Sequence, residues 1–482
     1  MTLSGALSNA VSGLNANALG TSVLSANIAN ALNEHYGRRD LILSTDGNQT
    51  SGGVRASDIQ RFSSPLLNHQ KRIAISDHAQ KNAFANFAVA LENAVGSVDT
   101  LTSLSQKLTQ FETSLLSAAS DPSSQTRLRS VAYSADELAS FLRAASDGVQ
   151  TRRTAADQDI AAAVGQINQH LSQLEGLNNQ IMSGRHTGQD TLALQDQRDV
   201  VLDQLSEFIP LHVIERESGA VSVFSGQGRT LLDGRAVEFG FARTPTILPH
   251  MSVQNGLLSG LLINGEPADT RTMTTLSGGR LSALFDIRDF HSPAAQTKLD
   301  GIARDMIERF GPGGPDATIL PGSAGVFADD GAAFLAANER GLAGRIDLNV
   351  ALKPSSDELW RWRDGLYAAA EGEPGESALL IDLRGHILAD IPPSSPALAT
   401  SATSLIRHVE EFASQTATNR VRSNETFEFA TTQLAAQKQA IFDKGVNTDQ
   451  ELQKLIALEK SYAANARVVQ VVDDMLTELL RI

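Results

Sequence analysis

The first 33 residues of the chain carry no charged side chain, yet their apolar residues return every three or four positions: Leu3, Leu7, Ala10, Leu14, Ala18, Thr21, Leu24, Ile28 and Ala31. That spacing lines one face of an α-helix about 50 Å long. The opposite face is Ser and Asn, mediocre helix formers, so the helix is marginal alone in water. The far end of the chain mirrors it, with a heptad running through Leu455, Leu458, Tyr462, Asn465, Val469, Val472, Leu476 and Leu479. Both ends are therefore amphipathic helices, where termini of globular proteins are ordinarily frayed and polar. Such ends suit pairing with each other, with neighbouring copies, or with both. Docking of each onto the body of a monomer is the other arrangement the pattern allows. Asn465 on the seam either fixes register at some cost in stability or lies at the seam's exposed edge.

Between the ends the periodicity changes twice. Residues 34–62 are rich in Gly, Ser, Asn and charge and read as loop and turn. Helical spacing follows through Phe84, Phe87, Leu91, Ala94, Val98 and Leu101, resumes at Leu104, Leu108, Phe111 and Leu115, and stops at Asp121-Pro122. Leu128 to Ile181 continues the same spacing, predicting one helix over roughly 123–183, about 90 Å long. Another covers 190–208. From residue 210 apolar residues alternate, and Asp233-Gly234 and Asn264-Gly265 mark hairpin turns, so the chain reads as β-rich to about 288. A helix over 293–310 ends at Gly311, Pro312, Gly313 and Gly314. A Gly- and Pro-rich mixed stretch closes at Pro392, Pro393 and Pro396, a helix begins near 397, and Gly445 breaks it.

The expected fold is mainly α with β-rich inserted domains, elongated and multi-domain, its terminal helices pairing as a coiled coil. The segments are 1–55, N-terminal axial helix and loop; 56–208, first part of a discontinuous long-helix domain; and 209–290, β-rich. Then come 291–310, a helix returning to the helical domain; 311–395, a small mixed outer domain; 396–444, second part of the long-helix domain; and 445–482, C-terminal axial helix.

Composition narrows the chemistry. A net charge of −15 argues against nucleic acid and anionic membrane surfaces as partners. The absence of cysteine excludes disulfides, thiolate catalysis and zinc–thiolate sites. No apolar run is long enough for a transmembrane helix. The N-terminus lacks the basic and continuous apolar regions of a secretory signal, so the chain either stays in the cytoplasm or leaves by a route that reads another signal. There is no phosphate-binding loop and no nucleophile elbow, and none of the ten histidines has another three or four residues away. Asp382, Asp390, Glu371, Glu373 and Glu376 read as a solvated acidic surface, an acid–base pair being the alternative. Trp360 and Trp362 read as anchors of a small domain's core, a carbohydrate or peptide platform being the alternative. No catalytic residue, cofactor or metal ligand is expected.

The stretch 7–40, with Ser12-Gly13-Leu14-Asn15-Ala16 and Asn27-Ile28-Ala29-Asn30, resembles the shared N-terminal motif of flagellar rod, hook and hook-associated proteins. The family's Thr-Pro-Gly-Tyr turn is replaced by Asn33-Glu34-His35-Tyr36, with Tyr36 and Arg39 kept. Three further stretches are similar to the hook-associated protein 1 family: 194–209 with Asp196, Arg198, Asp199, Leu202 and Leu205; 279–310 with Arg288, Asp289, Leu299 and Ala303; and 445–482 with Gly445, Val446, Asn447, Leu455, Tyr462, Ala466, Arg467, Met475 and Leu476.

The resemblance implies a structural subunit, not an enzyme. It would be exported by the flagellar type III apparatus without a cleaved signal and placed outside the cell at the hook–filament junction. The implied partners are further copies of itself, the hook protein, the next hook-associated protein, and an export chaperone at the C-terminal helix. Another flagellar axial protein (hook or distal rod) and a cytoplasmic coiled-coil adaptor are the alternatives. The assembly residues are expected to be Leu7, Leu14, Leu24, Asn27, Ile28 and Asn30 on the first helix. On the last they are Leu455, Leu458, Tyr462, Asn465, Val469, Val472, Leu476 and Leu479. Each fully covered large apolar residue contributes about 1.5–3 kcal/mol, against about 1–2 kcal/mol per ordered backbone residue. The ends are therefore expected to be loosely docked or disordered before assembly and ordered by it.

Overall fold

A computed structural model of the chain describes residues 3–45, 52–96, 103–268, 276–399 and 401–481. The fold is mainly α, with small antiparallel sheets inserted between helices, and the chain divides into two units. The first holds residues 1–77, 169–237 and 430–482, and the second holds 78–168 and 238–429. Three helices run through a boundary: α2 (Pro65–Val95), α4 (Gln125–Thr187) and α10 (Leu405–Phe442).

In the first unit α1 (Leu3–Ala29) packs against α11 (Thr448–Leu479), so the terminal helices do pair. The second ends its approach at Asn447, whose side chain accepts the Gln450 N–H at 3.1 Å and caps the helix. Residues 34–62, read above as loop, contain an antiparallel hairpin, β1 (Arg39–Thr45) with β2 (Val54–Arg61), which packs on α1. Its strands leave much of their surface in solvent and carry Asp40, Arg55 and Asp58 among the apolar residues, which blurs the alternation that marks a strand. Helix α5 (Leu192–Phe208) leads into a four-stranded antiparallel sheet, β3 (Leu211–Glu215), β4 (Val221–Ser225), β5 (Thr230–Asp233) and β6 (Arg235–Ala236). The sheet is held to α4 by Asn178, which donates to the Val221 carbonyl at 2.8 Å and accepts the Val221 N–H at 3.0 Å.

The second unit is built on one apolar core. Phe111 of α3 (Leu104–Ser120) meets Phe310, Phe327 and Trp362 edge-on at 6.0–6.1 Å, and Trp362 donates from Nε1 to the Leu352 carbonyl at 3.1 Å. Trp362 is thus a core anchor of the mixed stretch. Val98 and Leu101 of the predicted helical run lie outside the described residues. A three-stranded sheet joins β7 (Phe239–Gly240), β8 (Leu261–Ile263) and β9 (Glu266–Ala268), with Asn264 and Gly265 both at positive φ in the β8–β9 turn, as the Asn-Gly pair predicts.

The β-rich reading extends too far. Helix α6 (Gly279–Asp286) and a π-helical turn (Ile287–His291) run straight into α7 (Ser292–Arg309), because Leu281, Leu284 and Phe285 face the interior at helical spacing. The mixed region beyond has a two-stranded pair, β10 (Phe327–Asp329) with β11 (Ile346–Leu348), three short 3-10 turns, one turn of helix α8 (Arg361–Asp364), and α9 (Ala378–Leu388). The helix expected near 397 starts later, as α10 at Leu405. Glu371, Glu373, Glu376, Asp382 and Asp390 are all exposed.

Arg288, on the π-helical turn, is fully buried. It pairs with Asp157 at 2.7 Å and Asp289 at 2.8 Å, and its guanidinium lies 5.4 Å from the Phe241 ring and 5.0 Å from that of Phe285. Nearby, burial and then the Asp289 charge push the Asp286 carboxyl up to about 6. An unfolded aspartate titrates near 3.9. Between those values the folded unit holds a proton that the unfolded chain has released, so stability falls as pH rises from about 4 to about 6. Asp286→Asn is accordingly expected to raise the melting temperature at pH 7.5 and to lose that advantage near pH 4. Equal melting of variant and parent at both values would refute it.

Candidate assembly site

Four contacts fix how α1 meets α11. A Cβ placed on Gly13 would lie 2.6 Å from Asn465 Nδ2, and one on Gly20 would lie 2.9 Å from Leu458 Cδ1. Asn17 Nδ2 donates to Ser461 Oγ at 3.0 Å, and Asn27 Nδ2 donates to Glu451 Oε2 at 2.9 Å. The two residue numbers of every pair add to 478, so the helices run antiparallel in a single register. Stepping by three and four, the α1 side of the seam is Leu3, Ala6, Ala10, Gly13, Asn17, Gly20, Leu24 and Asn27. These are mostly small residues, and the glycines let the partner's side chains reach the α1 backbone.

This seam coincides only in part with the stripe read from the sequence. Leu24, Asn27, Leu458, Asn465 and, by spacing, Val472 occupy it. Leu7, Leu14 and Ile28 sit one residue C-terminal to seam positions on α1, and Leu455, Tyr462, Val469 and Leu476 do the same on α11. In an antiparallel pair those two flanks open on the same side. They are only half-covered: Val11 between Leu7 and Leu14 is 43% exposed, Tyr462 50% and Leu476 40%. Leu479 is exposed, and Asn30 donates back to the Ala26 carbonyl at 2.9 Å, closing the end of α1. Asn465 is half-buried against Gly13, within the seam rather than at its edge.

At the Asn27 end the seam meets a polar hub. The Asn27 side chain is fully buried and saturated: Nδ2 also donates to the Arg39 carbonyl at 2.8 Å, while Oδ1 accepts the Tyr36 hydroxyl at 2.9 Å and the Arg39 N–H at 3.0 Å. Asp196 accepts the Gly37 N–H at 3.1 Å and pairs with Arg61 at 2.7 Å and Arg39 at 3.4 Å. Asp199 bridges Arg61 and Arg72, each at 2.7 Å, and Arg72 continues to Asp203 at 3.0 Å. Burial alone would push the Asp199 carboxyl up, but the guanidiniums of Arg72 and Arg61 hold it below the ordinary carboxylate range. Burial pushes the Tyr36 hydroxyl up, keeping it a neutral donor.

The structure therefore brings together Asn27, Tyr36, Arg39, Asp196 and Asp199, which sequence reading noted in separate stretches. Arg198, beside them in sequence, turns to the Gly219 carbonyl at 2.6 Å. Glu451, Arg61, Arg72 and Asp203 were not singled out; the available signal for Glu451 was a carboxylate one heptad before Leu458, in a frame that continues through Asn465 and Val472. Among the described residues no cluster of three or more metal-binding side chains occurs, and no helix is long and apolar enough to cross a membrane.

Two family profiles match the chain: the flagellar hook-associated protein FlgK helical domain over residues 89–312, and the C-terminal region of flagellar basal body rod FlgEFG proteins over 443–482. The flagellar hook-associated protein 1 of Escherichia coli is 23% identical, covering 100% of both chains. That of Bacillus subtilis is 22% identical, covering 97% of this chain and 96% of its own. Along its whole length the chain is similar to flagellar hook-associated protein 1. The solved hook junction protein FlgK of Burkholderia pseudomallei aligns at a TM-score of 0.44 and 23% identity, over 55% of this chain and 46% of that one. These matches support a structural, hook-associated role in the bacterial flagellum alongside other flagellar components.

Proposed function

We propose that the protein forms the layer joining hook to filament, after type III export and without cleavage of a signal. Copies contact each other through the groove that flanks the α1–α11 seam. The observation that carries this reading is that Leu7 and Leu14 are only half-covered and Val11, Tyr462 and Leu476 are exposed along one flank of the α1–α11 pair. A groove between two antiparallel helices takes a third amphipathic helix. The occupant is a terminal helix of a second copy. Residues 1–33 carry no charge, so a neighbour can cover α1 without stranding an ion. Leu24, Asn27, Leu458, Asn465 and Val472 hold the pair together, while Leu7, Leu14, Ile28, Leu455, Tyr462, Val469, Leu476 and Leu479 meet neighbours. The end copies of the layer meet the hook protein on one side and the next hook-associated protein on the other. Before export a chaperone covers the exposed face of α11.

The test is a deletion strain complemented with an epitope-tagged copy. Deletion is expected to leave hooks without filaments, and gold-labelled antibody is expected to mark the hook–filament boundary. A deletion strain that builds normal filaments would overturn the reading.

A further inference from the structure

The repeats within the α1–α11 seam do not by themselves choose a register. Gly13 and Gly20 lie seven residues apart on α1, and Leu458, Asn465 and Val472 lie seven apart on α11. A slip of one heptad that makes paired numbers add to 485 puts Asn465 on Gly20 and Val472 on Gly13. Gly20 would then hold the side chain that Gly13 holds now. The apolar and small-residue packing survives such a slip. The polar rungs do not: Leu458 would face the buried Asn27, Val468 would face Asn17, and Glu451 would pass beyond the end of α1. Slipping the other way puts Glu451 on Gly20 and leaves Asn27 opposite Lys444, before α11 begins. Glu451 is 1% exposed, so its carboxylate must find donors wherever it is buried.

We infer that the Asn27–Glu451 hydrogen bond is the specificity-determining contact that selects the native register of the terminal helices against heptad-slipped alternatives. Asn27 suits this role because it is held from three directions. The Tyr36 hydroxyl, both the Arg39 N–H and carbonyl, and Glu451 take up its amide, so it cannot turn to greet a different partner. The register of α11 is thereby tied to the loop after α1 and, through Arg39 and Asp196, to α5. The inference concerns pairing within one chain and stands independently of what the assembled protein joins.

The chain has no cysteine, so introduced pairs are its only thiols. Disulfides need Cα atoms about 4.4–6.8 Å apart. A10C with V468C reports the native register, and A10C with M475C reports the one-heptad slip. Full-length protein is oxidised at low concentration and the intramolecular crosslink is followed by gel mobility. With Glu451 present, 10/468 is expected to close and 10/475 to stay reduced. Adding Glu451→Leu is expected to speed closure of 10/475 at least ten-fold, and Glu451→Gln, which keeps an acceptor, to leave it reduced. Equal closure of both pairs with Glu451 present would overturn the inference. So would a Glu451→Leu chain in which 10/475 stays reduced, whether 10/468 still closes or the helices part and neither does.

Discussion

Arg288→Ala is expected to destabilise the second unit by about 3–5 kcal/mol, the usual cost of breaking a buried ion pair from one side. Arg288 and Asp157 are both without solvent exposure, 2.7 Å apart. Removing the guanidinium leaves the Asp157 carboxylate with the Thr244 N–H on its other oxygen, at 2.7 Å, and no other cation in contact among the described residues. It also empties the space beside the Phe241–Phe285 ring pair and frees the Ser259 carbonyl, which accepts from Arg288 at 3.0 Å. The measurement is the shift in the denaturant midpoint at constant slope. Arg288→Met with Asp157→Asn removes both charges and is expected to recover more than half of the loss, since an apolar chain of similar length fills the slot. A loss under 1 kcal/mol for Arg288→Ala would show that the pair is not desolvated in solution as it is here.

That residue also shows what could and could not be read from the sequence. Arg288 and Asp289 stood out through resemblance, but nothing in a linear sequence says that a charged side chain lies buried against two aromatic rings. The long helices were legible, because a three-and-four spacing sustained from Leu128 to Ile181 fits no other element. The β1–β2 hairpin was not, because its strands are half in solvent and carry charge. The terminal helices were legible as helices, and Leu24, Asn27, Leu458, Asn465 and Val472 fall on their seam, but Leu7, Leu14, Ile28, Leu455, Tyr462, Val469 and Leu476 lie one residue past it. Leucines dominate the periodicity of α1, while close approach to α11 selects Ala, Gly and Asn, which carry little hydrophobic signal. The hub was legible only in pieces: Asn27 and Glu451 are 424 residues apart, and Gly37 and Asp196 are 159 apart. Pairing at such separations is a property of the folded chain.

The separation of seam from flank yields the prediction with the largest functional effect. Tyr462→Asp with Leu476→Asp places two carboxylates on the open flank of α11, at positions 50% and 40% exposed. Each can remain hydrated in the single molecule, so the melting temperature and helical content of the purified protein are expected to change little, within the range of ordinary surface substitutions of about 0.5 kcal/mol. Covering both by a neighbouring helix would strip an unpaired charge of water twice, at several kcal/mol each. A cost of that size lowers an association constant by at least a thousand-fold, at about 1.4 kcal/mol per factor of ten. Cells carrying only this variant are therefore expected to be non-motile and to shed filament protein into the medium, while exporting the subunit in normal amount. The seam substitution Val472→Asp should behave differently, lowering the stability of the α1–α11 pair in the isolated protein as well, since Val472 is buried within it. Normal motility with the doubly substituted flank would mean that neighbours do not use this side of the pair. An unfolded variant would mean that the flank is sealed inside the single molecule after all, and either result removes the groove from the assembly.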